Sequence, residues 1–315
     1  MNINTNRLKR KVPEYIFSLA RYLILIAFAY VLFYPFAFMA INAFKSTGDW
    51  LDPTVEWIPK HLSLDNIKLS AAVLEYWKSL TSTMINGVIS ALLSFITCAF
   101  AAYGIARFDF RGRKLLIGIM ILCILIPDMM IVIPSYDNFR HLDFLGILGG
   151  ISKLVGTELR PSVIDTPFVF WLPSLFATGL KNGLFIYIYM QFFKGLPKEL
   201  EEAAWIDGAG PWGTFFKIVL PSSGAAAVTV LVFSVVWYYN DYYQAQIYLA
   251  DNYPLSVMLS NFSANLSGDV IANKTFALGA LLVTASFLCI LPLLIYFLFM
   301  QKKFVKSIAT CGIVG

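Results

Sequence analysis

The sequence predicts an all-α, polytopic membrane protein with six transmembrane helices and both termini in the cytoplasm. Three observations lead there. The chain of 315 residues has a mean hydropathy of +0.70, with 58% hydrophobic and 14% charged residues, too apolar for a soluble domain. Uncharged runs of about 20 residues or more, the length a helix needs to cross a hydrocarbon core, recur at 22–44, 79–106, 218–240 and 275–300. Two further runs, 115–136 and 167–193, qualify with one interior charge each, Asp128 and Lys181. No strand-like alternation of the barrel kind competes with this reading.

Orientation follows from the basic residues. Most of the 24 Lys and Arg sit in short segments beside alternate span ends. Arg7, Lys9, Arg10, Lys11 and Arg21 lie at the first, and Arg107, Arg111, Arg113 and Lys114 after the second. Lys194, Lys198 and Lys217 lie between the fourth and fifth, and Lys302, Lys303 and Lys306 after the sixth. The positive-inside rule places these ends in the cytoplasm. The net charge of +5 is thereby explained without nucleic-acid binding. The basic amino end resembles a signal peptide. Its apolar run exceeds an h-region of about 7–15 residues and lacks a small-x-small exit, so it is read as a retained first helix. Cys98, Cys123 and Cys289 fall inside spans and Cys311 in the tail, a pattern of buried structural thiols.

Taken in order, residues 1–78 carry the cytoplasmic amino end, the first helix and an external loop whose Trp50 and Trp57 suit the headgroup level. Residues 79–300 form the core, and 301–315 a cytoplasmic tail. Span two is rich in small residues (Gly87, Ser90, Ala91, Ser94, Ala99, Ala102) that let helices approach closely. Span three carries Pro127, Asp128 and Pro134. A carboxylate there costs about 2.5–3.5 kcal/mol on insertion scales, so Asp128 needs a cavity or a partner. Either it lines a transport path or it steadies a kink near the external interface. His61 and His141 lie in external loops without metal-ligand spacing, and no metal site is expected.

Span four is interrupted by Gly179-Leu180-Lys181-Asn182-Gly183. Broken helices mark substrate sites in transporters; an interfacial first half, with Lys181 at the headgroups, accounts for the pattern equally. Span five ends in Trp237-Tyr238-Tyr239-Asn240-Asp241. Rings, amides and carboxylates suit sugar binding, and they also suit an aromatic belt. Candidate substrate-path residues are thus Asp128, Lys181, Asn182, Tyr239 and Asn240. The loop 241–274 holds Asn-x-Ser/Thr triplets at Asn261, Asn265 and Asn273, taken as chance matches.

The most patterned polar stretch is 197–221, PKELEEAAWIDGAGPWGTFFKIVLP. A helix over 198–207 begins with Glu199, Glu201 and Glu202, which suit the positive end of its dipole. Gly208 and Gly210-Pro211 break it, and a second helix from about Gly213 leads into the membrane. The stretch resembles the cytoplasmic signature of permease subunits of binding-protein-dependent ABC importers: Glu-Ala-Ala, three residues, Gly, nine residues, Ile-x-Leu-Pro. Here Glu202-Ala203-Ala204 precedes Gly208, then Ile218, Leu220 and Pro221, with both spacings kept. AAYGIARFDFRGR, Ile126-Pro127, QFFKGLPKELEEAAWIDGAG and the terminal LPLLIYFLFMQKKFVKSIATCGIVG are similar to the sugar-importer branch, in the pattern of the maltose importer's G-type subunit. Together they cover most of the chain after about residue 80. Met190 stands where Arg is frequent, and Tyr239 where Trp is usual.

The resemblance implies a type I ABC importer permease fold in the cell membrane, surrounded by lipid. It implies a coupling helix at 197–213 seated in a cleft of a soluble ATPase dimer. Glu201, Glu202, Ala203, Ala204, Asp207 and Gly208 would lie at the contact, with Glu202 meeting a basic residue. It implies a second, different permease subunit and an extracellular solute-binding protein that delivers a sugar, in the form of an oligosaccharide. ATP and magnesium would sit on the ATPase. This chain has no Gly-x4-Gly-Lys-Ser/Thr and no assembled catalytic set, so no nucleotide, cofactor or enzymatic activity of its own is expected. The competing class, an ion-coupled secondary transporter, wants paired intramembrane carboxylates. Only Asp128 is available, and the cytoplasmic signature would go unexplained.

Overall fold

The computed structural model describes residues 5–143, 146–157, 159–266 and 278–311. It is helical, with no strand among the described residues beyond an isolated bridge between Lys45 and Leu62. The chain divides into two units, Met1–Val73 with Ser263–Leu288, and Leu74–Phe262 with Cys289–Gly315.

The first unit is built on α1 (Thr5–Ala43). Its large apolar residues from Tyr15 to Phe33 are more than half exposed, as a helix meant for lipid or another subunit must be. After it, Ser46 caps α2 (Thr47–Leu51) by accepting the Asp49 N–H at 3.1 Å. The following loop closes on two buried charges. Lys45 donates to the carbonyls of Val55 (2.9 Å) and Glu56 (2.7 Å). Asp49 accepts the His61 N–H at 2.7 Å and faces its Nδ1 at 3.1 Å. That backbone N–H holds the Asp49 carboxyl below the usual range. His61 therefore fastens a loop, and no metal-binding cluster exists among the described residues. α3 (Asp65–Val73) completes the unit with the first turns of the final helix, where Ser70 Oγ donates to Leu281 O at 3.1 Å.

The second unit is organised around α4 (Tyr76–Arg107), whose 32 residues make it about 48 Å long. Its small residues Gly87, Ser90, Ala91, Ser94, Ala99 and Ala102 are buried, as the need for close helix approach requires. Around it come α5 (Arg113–Leu125), α6 (Asp128–Arg140), α7 (Ile147–Val155), α8 (Phe168–Leu175), α9 (Asn182–Gly195), α10 (Glu199–Ile206), α11 (Pro211–Ser222) and α12 (Gly224–Asn240). Short helices α13 (Tyr243–Tyr248), α14 (Leu255–Ser260) and α15 (Phe262–Asn265) follow, then α16 (Leu278–Cys311). Asn261 and Asn265 lie among these short helices; Asn273, and positions 275–277 of the sixth expected span, lie outside the described residues.

The spans are less regular than the apolar runs suggest. Among the described residues, three helices are long and apolar enough to cross alone: Tyr15–Ala43, Tyr76–Arg107 and Leu278–Val305. The run 115–136, expected as one span, is α5 and α6 bent by 103°. The residue before a proline avoids the helical region, and both Ile126 (ψ 123°) and Pro127 (ψ 133°) are extended, so the helix stops and restarts at Asp128. The run 167–193 is two separate helices, α8 and α9. Pro211–Ser222 and Gly224–Asn240 form a second bent pair, at 79°. Pro221 cannot donate to the carbonyl four residues back, and the turn before it widens to π geometry over Phe215–Val219. The cysteine expectation holds for buried Cys98 and Cys289 and is corrected for Cys123, which is exposed on α5: an apolar helix facing outward exposes every residue on that side.

Candidate functional site

The stretch 197–221 folds as a knob on an aromatic root. Phe100 of α4 stacks on Phe215 of α11 (4.2 Å between centroids) and meets Phe216 and Trp212 edge-on at 5.2 and 5.4 Å. Tyr103 packs against Phe193 of α9 and Phe215. On this base α10 stands as a two-turn helix. Gly208, at φ +82°, supplies the left-handed residue that ends it, a conformation open to glycine.

The knob has an inner and an outer face. Neighbours on a helix point about 100° apart, whereas residues three apart share a side. Glu201 and Ala204 accordingly turn inward and are buried, while Glu202, Ala203 and Asp207 face outward with Gly208. Trp205 (52% exposed) and Ile206 (86%) lie on that outer surface. The sequence reading omitted both. An unexplained Trp-Ile pair at the end of an acidic cytoplasmic helix was the signal available.

The inward carboxylate is paired. Arg107, the last residue of α4, places Nε 2.7 Å from Glu201 Oε1, with both side chains only 7% exposed. Tyr103, one turn earlier on α4, donates its hydroxyl to Glu201 Oε2 at 3.0 Å. A second Arg107 nitrogen donates to Leu196 O at 2.8 Å, in the linker that leads into α10. Pro197, Leu200, Ile218 and Val219 surround the pair. In the sequence Arg107 counts as an orienting charge, and both it and Tyr103 lie in the AAYGIARFDFRGR stretch, where nothing marks either as a partner of Glu201.

A second cluster forms where helices break. Lys181 Nζ lies 2.5 Å from Asp128 Oδ2, each side chain about one third exposed. The two interior charges that had disqualified their runs as uniform spans are therefore partners, joining the start of α6 to the start of α9. Ala177 and Lys181 hold left-handed conformations without being glycine (φ +56° and +59°), a strain typical of constrained sites. Tyr238 of α12 ties the break together: its hydroxyl lies 2.7 Å from Ser174 Oγ and accepts the Leu180 N–H at 3.1 Å. A Cβ at Gly179 would press on the Tyr238 hydroxyl and come within 2.9 Å of Ser174 Oγ, so a larger residue there requires these groups to shift.

Asn182, next to Lys181, is 1% exposed, and its side-chain amide meets no hydrogen-bond partner. The remaining sequence candidates lie elsewhere. Tyr239 donates to Cys289 O at 2.5 Å and is buried, and Asn240 folds its amide back onto Val236 O at 2.8 Å on the exposed side of its own helix. Asp128 and Lys181 thus meet, with the buried Asn182 next to Lys181 in sequence, whereas Tyr239 and Asn240 bond elsewhere.

A family model described as binding-protein-dependent transport system inner membrane component matches residues 95–310. The chain is 28% identical over 305 residues to the polygalacturonan/rhamnogalacturonan transport system permease protein YtcP of Bacillus subtilis (strain 168), covering 93% of this chain and 96% of that one. It is 26% identical over 276 residues to the probable starch degradation products transport system permease protein AmyC of Thermoanaerobacterium thermosulfurigenes, covering 87% and 89%. Its fold matches, with a TM-score of 0.69 at 18% identity over 96% of this chain and 98% of the other, a crystal structure of a bacterial ABC transporter involved in the import of the acidic polysaccharide alginate.

Proposed function

The chain belongs to the family of inner-membrane components of binding-protein-dependent transport systems, and from that premise we propose that it is the permease subunit through which an ATPase drives oligosaccharide uptake. It is a multi-pass membrane component and a transporter subunit. The observation that carries the rest is the knob at α10: an outward face of Glu202, Ala203, Trp205, Ile206 and Asp207 on a root sealed by aromatic rings. A cytoplasmic partner with a basic, partly apolar cleft fits that face. The family signature at Glu202–Pro221 supports an ATPase dimer, carrying ATP and magnesium, as that partner.

The oligosaccharide class rests on the relatives named above, permeases for polygalacturonan/rhamnogalacturonan and for starch degradation products. An external solute-binding protein would deliver the sugar, and a second permease subunit would complete the pathway. The exposed length of α1 supports such a neighbour, with lipid covering the remainder. Alternating access then runs as follows. ATP binding closes the ATPase dimer, α10 is carried with it, and the bundle around α4 reorients. Asp128 and Lys181, at two helix breaks and each partly exposed, are the residues of this chain best placed to meet the passing solute, with the buried Asn182 beside Lys181.

The test is uptake into vesicles holding the reconstituted complex. Accumulation is expected to require hydrolysable ATP and the loaded binding protein, and to persist with an ionophore present. Uptake without ATP that collapses with the ion gradient would establish the ion-coupled alternative instead.

A further inference from the structure

The outward face of α10 is the surface offered to a partner; the inward face poses a separate question. An exposed two-turn helix has little stability of its own. It can transmit a displacement only if something stiff fixes it to the spans. Covalently, α10 connects to α9 through the 196–198 linker and to α12 through α11, which contains a π turn and ends at a 79° bend. Neither connection is a straight helical continuation. A third connection is non-covalent, and it leads to α4.

We propose that Arg107, Tyr103 and Glu201 are positioning residues that lock the coupling helix to the end of α4, so that a push on α10 moves α4 as one body with it. This rests on the docking reading above and deepens it. The geometry is specific. Arg107 and Tyr103 lie one turn apart on the same face of the last turns of α4. Both reach the one inward carboxylate of α10, on different oxygens. The same guanidinium also holds the Leu196 carbonyl, so it grips the helix and its linker together. The pair is buried, each side chain 7% exposed, among Pro197, Leu200, Ile218, Val219 and Ser222, where loss of one partner leaves the other charge stranded. Such an arrangement favours a single geometry over a sliding contact. α4, in turn, is the helix on which α8, α9 and α12 all pack, so motion delivered to its end is distributed through the bundle.

The experiment uses the assembled transporter in vesicles and reads substrate imported per ATP hydrolysed, a ratio that loss of folded protein does not move. Glu201→Gln and Arg107→Gln are each expected to lower this ratio about tenfold in complexes that still contain the ATPase. The double variant is expected to be no worse than either single one, because both remove the same link. A ratio within twofold of the parent in both single variants, or effects that multiply in the double one, would overturn the latch. Should the single variants not assemble, Tyr103→Phe and Arg107→Lys, which keep the pair's charges, give the reading. A two- to fivefold lower ratio is expected, and a parental ratio in both overturns the proposal.

Glu202→Lys, on the opposite face, separates the two claims. It is expected to release the ATPase. If it keeps both the ATPase and the parental ratio, the docking reading fails, whatever Glu201→Gln shows. If it releases the ATPase while Glu201→Gln is parental, only the latch fails.

Discussion

Among the described residues, the ion pairs Arg107–Glu201 and Lys181–Asp128 each join the ends of two helices, and they differ in exposure and surroundings. Arg107–Glu201 is 7% exposed on each side, whereas Lys181–Asp128 is about one third exposed on each. The first is wrapped by apolar side chains and further bonded by Tyr103 and Leu196 O. The second sits between a proline break and a loop with two left-handed residues. A sealed pair resists separation because each charge, alone, would be stranded in a poor solvent. A pair about one third exposed can exchange its partner for water or a solute hydroxyl where its open side meets an aqueous path. The contrast assigns rigidity to the cytoplasmic end and exchange to the breaks, which suits a machine that transmits force at one place and passes solute at another.

The contrast can be broken by substitution, with the largest change in stability first. Arg107→Gln leaves Glu201 sealed and unpaired and should destabilise the purified subunit by about 3–5 kcal/mol, read as a large fall in Tm. Gly179→Ala places a methyl against Tyr238 and Ser174 and should cost about 1–3 kcal/mol by the same measurement. Lys181→Met should cost less than Arg107→Gln, because its pair is the more exposed of the two, yet alter transport kinetics. Unchanged kinetics would return Asp128 and Lys181 to a structural role. The swap Asp128→Lys with Lys181→Asp should be tolerated, whereas the swap Arg107→Glu with Glu201→Arg should not, because only the sealed site depends on the guanidinium's several donors. Glu202→Lys, on an exposed face, should leave stability within about 0.5 kcal/mol of parental while abolishing ATPase co-purification.

How far the sequence discloses these sites depends on the range of the interaction involved. The knob was legible because its signature is local: the spacing from Glu202 to Pro221 is that of one helix, one glycine turn and one proline break. Its two-facedness was half legible. The three-residue step from Glu201 to Ala204 marks an inner face, but nothing nearby identifies Arg107, 94 positions back, as the partner that fills it. Likewise Asp128 was recognised as needing a partner and Lys181 as an anomaly. Their pairing depends on how two broken helices pack. The 103° bend was concealed because an apolar run continues on both sides of Pro127. Tyr238 was indistinguishable from its neighbour Tyr239 in composition, yet it holds the break while Tyr239 donates to Cys289 O.

The most direct measurement is the distance between spin labels on Glu199, at the start of α10, and Ile96 on α4, in a chain with Cys123 and Cys311 replaced by serine. Distances are recorded in the assembled transporter with and without ATP. A rigid link predicts one narrow distance, unchanged by nucleotide in the parent and broadened in Glu201→Gln. A distance that shifts with ATP in the parent, or stays narrow when Glu201 is replaced, would contradict it.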